Sequence, residues 1–111
     1  MRAEDHIRIR HMIDAAGRAE RFLNGRERAD LDSDDMLLFA LVRCVEIIGE
    51  AAAKVSGETR LATPTIPWRD IVAMRNRLIH AYFDIDTEVL WQTMRQDVPP
   101  LVRSLKTVLG E

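Results

Sequence analysis

The stretch from Trp68 to Tyr82, WRDIVAMRNRLIHAY, determines how the rest of the chain is interpreted. Its apolar side chains recur at helical spacing and Pro67 suits a first helical turn, so we predict one helix over residues 68–82. At 100° per residue, Arg75 lies in the middle of the apolar stripe, with Ile71 only about 40° away. Because an unpaired buried guanidinium costs several kcal/mol, Arg75 either pairs with a carboxylate or lines a wet, anion-binding cleft.

The same predicted helix carries further polar side chains. His80 falls about 140° from Arg75 around the helix axis, whereas Asn76 and His80 share a face at i, i+4 spacing. An arginine that can hold phosphate and a histidine that can transfer protons would then project from two turns of one helix. Spacing alone favours a structural arginine–acid pair with a surface histidine, so both interpretations stay open at this point.

The motif Arg-Asn-x-Leu-Ile-His-x-Tyr at 75–82 resembles the HepT branch of the HEPN domain family. Arg-x4-His alone is a weak signal, but VEIIGEAA at 45–52 and IPWRDI at 66–71 match the surroundings of the motif as well. The resemblance implies an all-α, antiparallel bundle of four to five helices. It also implies a metal-independent endoribonuclease, the toxin of a type VII-like HepT/MNT toxin–antitoxin pair.

By this resemblance, Arg75 and His80 are catalytic, Asn76 orients the histidine or a phosphate, and a homodimer completes the cleft that binds RNA. The resemblance further implies an MNT-type nucleotidyltransferase as antitoxin, which adds AMP to Tyr82. The alternative for Tyr82 is simple packing on the end of the helix. For the whole chain, the alternative is a non-catalytic subunit that binds a nucleotide or a nucleotidyltransferase.

The composition predicts one globular domain, 1–111, with a single core, since 47% of the 111 residues are hydrophobic and 31% are charged. The net charge of −2 excludes a general basic field, although residues 1–28 carry seven arginines against five acids. Cys44 is the only cysteine and the charged start resembles no signal peptide, so we expect a cytoplasmic protein. No apolar run suits a membrane span, and the histidines lack metal-ligand spacing, so we expect no metal and no cofactor.

The remaining chain predicts four further helices, the first of which carries an apolar stripe at Ile9, Ile13, Ala16 and Leu23. They cover 5–24, 34–55 with Ser33 as its N-cap, and 86–96 with Asp86 as its cap, and a last helix opens at Pro99 and Pro100. Residues 56–66 read as a long loop, either a lid over a cleft or, as we favour, a wrap around the bundle.

The second of these helices carries two features that bear on the site. Its first half, 36–42, is apolar nearly all round, which predicts burial by its own bundle and by a second chain. Gly49 and Ala52 would let a neighbouring helix approach closely. Glu46 borders the core side and is the candidate partner of Arg75; the alternative is an exposed Glu46.

Overall fold

The computed structural model describes residues 1–81 and 84–111. Its elements follow one another as α1 (Ala3–Leu23), α2 (Asp30–Ser33), α3 (Asp35–Ala53), α4 (Gly57–Ala62), α5 (Trp68–Leu78), β1 (Ile79–Ala81), β2 (Asp84–Ile85), α6 (Thr87–Gln92), a π-helical segment (Thr93–Asp97) and α7 (Val98–Val108). The predicted all-α fold class is confirmed, because the two strands form only a small hairpin beside a helical bundle.

The core lies where α1, α3 and α5 pack side by side and α7 returns against α1. Helix α1 buries the apolar stripe predicted from its sequence. Helix α3 supplies the next large set of buried side chains. Among these core side chains are Ile9, Met12, Ile13, Ala16 and Leu23 from α1, and Leu41, Val45, Ile48 and Ala52 from α3. An apolar stripe with a 3.6-residue period thus finds its partner in the adjacent helix.

Gly49 lies at the contact between α3 and α5. A Cβ added there would lie 3.7 Å from the carbonyl oxygen of Ile71 and 3.9 Å from that of Val72. The glycine therefore faces the backbone of α5 directly, as the sequence predicted for this position. This close approach also brings Glu46, one turn earlier on α3, beside Arg75 on α5.

Helix α5 ends earlier than predicted, at Leu78 rather than at Tyr82. Ile79 adopts extended angles (φ −120°, ψ 103°) and begins an antiparallel hairpin in which it pairs with Ile85. The amide of Asp86 donates to the carbonyl of Leu78 at 2.8 Å, which satisfies one carbonyl at the helix end. Both isoleucines are half-buried against the core, so tertiary packing of β-branched side chains overrides the helical pattern.

Two further local predictions were wrong. The N-cap of α3 is Asp34, whose carboxylate accepts from the amide of Leu37 at 3.1 Å, whereas Ser33 belongs to the short helix α2. The segment 56–66 is not only a loop, because Ser56 caps the short helix α4. Ser33 and Asp34 are both residue types that cap helices, so the sequence alone did not decide which of them caps α3.

Asp5 joins the start of α1 to the start of α4. Its buried carboxylate accepts the amide of Ser56 at 2.9 Å and the hydroxyls of Ser56 and Thr59 at 2.6 Å each. These hydrogen bonds to the charged form, those from the two hydroxyls first, lower the pKa of Asp5 to about 2. The network holds α4 on the bundle, which fits the wrap that the sequence favoured.

Pro99 and Pro100 lie in the first turn of the last helix, as predicted, but no break separates that helix from the helical segment before it. Helix α6 passes into a π-helical turn, Thr93–Asp97, and then into α7, whose first turn holds both prolines. Proline lacks an amide hydrogen, and the first turn of a helix does not need that donor. The chain therefore stays helical from α6 to α7, and its wider π-helical turns lie before the two prolines.

Part of α3 lies at the surface. Met36 is 85% exposed and Arg43 is also exposed, on the side of α3 that also carries Glu46. The predicted cover by a second chain stays a prediction. Within the described ranges, 1–81 and 84–111, no helix has the length and apolar character that crossing a membrane requires.

Candidate active site

Arg75 lies on the exposed side of α5, although its helix buries Ile71, Met74 and Leu78 around it. Its Nε atom is 3.5 Å from Oε2 of Glu46 on α3, and the two side chains are 48% and 28% exposed. The predicted partner is therefore present, and the guanidinium is both paired and open to solvent. The sequence had posed these as alternatives, and the structure combines them.

The ion pair between Arg75 and Glu46 is weak enough to be exchanged. Exposed pairs of this kind contribute about 0–1 kcal/mol to stability, because water screens the charges and both side chains lose rotamer freedom. The 3.5 Å separation is also longer than a strong charge-assisted hydrogen bond. A phosphate that binds the guanidinium through two oxygens can therefore displace the single contact between Arg75 and Glu46.

A second charged pair lies next to this one on α3. Arg43 and Glu50 flank Glu46 at helical spacing, and their closest atoms, Nη1 and Oε1, are 3.5 Å apart. Both side chains are about 60% exposed. The sequence interpretation did not identify Arg43; the i, i+3, i+7 spacing of Arg43, Glu46 and Glu50 was the signal for a charged face.

His80 does not lie on the helix that carries Arg75. It is the central residue of strand β1 and is exposed, whereas its neighbour Ile79 is half-buried. Successive strand side chains point to opposite faces, so His80 faces solvent because Ile79 faces the core. The helical geometry that predicted a face shared by Asn76 and His80 is thus corrected.

The other motif residues are also at the surface. Asn76 and Arg77 are exposed on the last turn of α5, and Arg77 donates a long hydrogen bond, 3.4 Å, to the carbonyl of Asp70. The predicted adenylylation site, Tyr82, lies outside the described residues. Among those that the structure describes, no hydrogen bond or ion pair joins Arg75 or Asn76 to His80.

The described surface has two grooves that are lined by neither Arg75 nor His80. One, of about 430 Å³, lies between α5, the π-helical segment and α7; the other, of about 460 Å³, lies between α1 and α7. The described part of the chain also holds no group of three or more histidine, cysteine or acidic side chains placed to share a metal ion. Arg75 and His80 are thus both exposed, on two consecutive elements of the described structure, α5 and β1.

Comparison with known proteins identifies the family of the chain. The family described as HepT-like, Ribonuclease HepT-like, matches residues 12–108 of the 111. This match spans α1 through α7 and includes the motif. The chain belongs to the HepT-like ribonuclease family.

Individual relatives carry corresponding names. A protein of Thermococcus cleftensis named a probable ribonuclease HepT is 44% identical over 72 residues, which cover 65% of this chain and 66% of the relative. A candidate RNase of Methanocaldococcus jannaschii is 32% identical over 97 residues (87% and 89%), and one of Caldanaerobacter subterraneus subsp. tengcongensis is 38% identical over 80 residues (72% and 71%). No solved structure matches the chain significantly.

Membership in the HepT-like family confirms the predicted enzyme class, a ribonuclease, and the HEPN-like bundle. The motif residues were found from the sequence because their types and spacing are specific, independently of the strand that carries the histidine. The placement of His80 was not predicted, since the helical period continues beyond Leu78 in the sequence whereas the backbone becomes extended at Ile79.

Proposed function

We propose that this HepT-like protein is a metal-independent endoribonuclease toxin in which Arg75 and His80 act on RNA. The observation that carries the proposal is the open Arg75–Glu46 pair on α5 and α3, with the exposed His80 on the strand that follows. The 2′-hydroxyl attacks the adjacent phosphorus, its proton passes to a base, and an acid protonates the leaving 5′-oxygen. The products are a 2′,3′-cyclic phosphate and a 5′-hydroxyl end.

Each residue has a role that its position permits. Arg75 holds two phosphate oxygens with its planar fork after exchanging Glu46 for the substrate, and it stabilises the charge of the phosphorane. Glu46 keeps the free guanidinium oriented, which makes it a positioning residue. His80 transfers a proton near neutral pH, and Asn76 orients the histidine or a phosphate.

A homodimer supplies what one chain lacks. The reaction uses two proton-transfer roles, and one chain brings a single histidine in the motif, placed on an open surface. A two-fold axis would bring a second Arg75 and His80 to the same cleft. The exposed Met36 on α3, near the charged face of Arg43 and Glu46, supports a contact between copies at this side of the bundle.

We further propose that a nucleotidyltransferase antitoxin of the MNT type neutralises the enzyme by adenylylating Tyr82. Tyr82 is two residues after His80 in the sequence, and an AMP phosphate there would compete with RNA for Arg75. Mass spectrometry of the protein co-expressed with a nucleotidyltransferase of the MNT type tests this. A gain of an adenylyl group on Tyr82 supports the proposal, and an unmodified Tyr82 with an active partner contradicts it.

The nuclease assignment is tested by RNA cleavage in EDTA. His80→Ala should lower the rate at least about 100-fold and Arg75→Ala by a similar factor, because each removes a group from the transition state. His11→Ala is the matched control, since His11 is an exposed histidine on α1, far from the motif in sequence. Equal cleavage by wild type and His80→Ala would remove His80 from the mechanism.

The composite cleft has its own test. When Arg75→Ala and His80→Ala proteins are mixed and allowed to exchange subunits, mixed dimers contain one intact Arg–His pair if the two residues act across the interface. Up to about a quarter of the wild-type activity should then return if one arginine and the histidine of the other chain suffice for a site, since half the dimers are mixed and half their Arg–His pairs are intact. No return of activity in mixed dimers would contradict a site in which Arg75 of one chain and His80 of the other suffice.

A second candidate function is a non-catalytic subunit that binds a nucleotide or a nucleotidyltransferase. The net charge of −2 and the neutralisation of Arg75 by Glu46 favour it, since a nuclease usually gains affinity for RNA from a basic surface. No cleavage by the wild type, together with tight binding of AMP or of the nucleotidyltransferase, would select this function.

A further inference from the structure

The groove of about 430 Å³ between α5, the π-helical segment and α7 has no part in the proposed reaction. It lies beside the site: its lining residues Met74 and Arg77 are about 100° and 160° from Arg75 around the helix axis, and Ile71 is about 40° away. Neither Arg75 nor His80 lines the groove, so a ligand there need not contact either side chain.

The groove has an apolar floor and a mainly acidic rim. Ile71 and Met74 of α5 and Val98 of α7 form the floor, and Asp70 and Asp97 stand at the rim. Neither carboxylate has an ion pair in the described part of the chain. Asp97 occupies the N-cap position of α7, yet its side chain makes no capping hydrogen bond.

The rim charges select among possible occupants. Two carboxylates face one arginine, Arg77, so the groove carries a net negative charge that disfavours a nucleotide or an RNA phosphate. The same charges favour a ligand that carries cationic groups next to an apolar side chain. A π-helical turn, rare in proteins and frequent at functional sites, supplies Thr93 and Asp97 to the groove.

We propose that this groove is a docking site for a basic amphipathic helix of a partner protein. An apolar side chain of that helix enters between α5 and α7, and flanking lysines or arginines pair with Asp70 and Asp97. Helices that insert apolar anchors into a groove are a common mode of peptide recognition. The proposal does not rest on the nuclease assignment, because the groove contains none of the proposed catalytic residues.

A pair of model peptides tests the charge preference. A helical peptide of about 14 leucine and lysine residues should bind saturably at about 0.15 M salt, and the same pattern with glutamate in place of lysine should not. Backbone amide chemical shifts should move at Asp70, Met74 and Asp97 during the titration. Equal binding of both peptides, or shifts confined to α1, would overturn the proposal.

Charge-neutralising variants locate the site. Asp70→Asn combined with Asp97→Asn should weaken the lysine peptide about five- to tenfold, whereas Asp14→Asn combined with Glu20→Gln, an equal charge change on exposed positions of α1, should leave binding within about twofold. Equal weakening by both pairs would mean attraction by net charge alone and would refute a groove site.

Two further measurements identify other occupants. Groove shifts caused by AMP and absent with the peptide would show a small-molecule pocket. Concentration-dependent shifts at the groove in the protein alone would show a second copy of the chain as the occupant. Either result would overturn the proposed partner helix, and neither depends on whether the protein cleaves RNA.

Discussion

Replacing Asp5 by asparagine should destabilise the protein by about 2 kcal/mol at neutral pH. The carboxylate is 2% exposed and accepts three hydrogen bonds from Ser56 and Thr59 at 2.6–2.9 Å. These bonds lower its pKa from the ordinary 3.8 to about 2, and at about 1.4 kcal/mol per pKa unit the difference corresponds to roughly 2.5 kcal/mol. Asparagine keeps the shape and loses the charge, so most of this stabilisation should be lost.

The pH dependence gives the sharper test. Because the folded pKa of Asp5 is depressed, its contribution is fully present above pH 3.8 and disappears as the pH falls towards 2. The wild type and Asp5→Asn should therefore differ by about 2 kcal/mol in urea unfolding at pH 6 and converge as the pH falls from about 4 to about 2.

Asp14→Asn serves as the control for this experiment. Asp14 is an exposed aspartate of the same helix, and its replacement should change stability by less than about 0.5 kcal/mol. A difference between wild type and Asp5→Asn that persists unchanged at pH 2 would refute the reasoning, since it could not come from the charge. An equal loss in Asp14→Asn would refute the special role of the Asp5 network.

Three further predictions concern α3. Gly49→Ala should be tolerated, because its Cβ would meet the Ile71 carbonyl at an ordinary 3.7 Å, whereas Gly49→Val should lower the free energy of unfolding by about 1–3 kcal/mol in urea unfolding, since its branched methyls meet the α5 backbone. Cys44 should react with a thiol reagent only on unfolding, because it is 3% exposed and burial raises its pKa; a fast reaction in the native protein would contradict this. Glu46→Gln should strengthen binding of uncleavable 2′-deoxy oligonucleotide by freeing Arg75, with Glu50→Gln as the matched control, and an unchanged affinity would show that Glu46 does not compete with phosphate.

The sequence predicted those parts of the fold that depend on one repeating pattern. The stripe of α1 and the close approach at Gly49 are both properties of a helix with a fixed period, and the structure has both. The end of α5 was not predictable in this way, because Leu78 and Ile79 continue the helical period. Ile79 leaves the helical conformation because it pairs with Ile85, a contact that no local pattern in the sequence indicates.

The same limit applies to the candidate site. Residue types identified Arg75, His80 and Glu46, and helix spacing placed Glu46 near Arg75, which the structure shows at 3.5 Å. Helix spacing failed for His80, because it lies beyond the last turn. Asp5 was also missed, since its three hydrogen bonds come from residues 51 and 54 positions away and no local pattern signals them.

The position of His80 on a strand changes how the proposed dimer would complete the site. On a helix, the histidine would have a fixed angle to Arg75, and a second chain would only enclose the cleft. On a hairpin edge beyond Leu78, it faces away from its own core, so a second copy can present its arginine to this histidine without either chain rearranging its helices. Helices α5 and α3 then hold the arginine and its carboxylate, while the strand β1 carries His80, the proposed proton-transfer group. For this reason the subunit-mixing experiment, rather than any single substitution, decides between a site within one chain and a site shared by two.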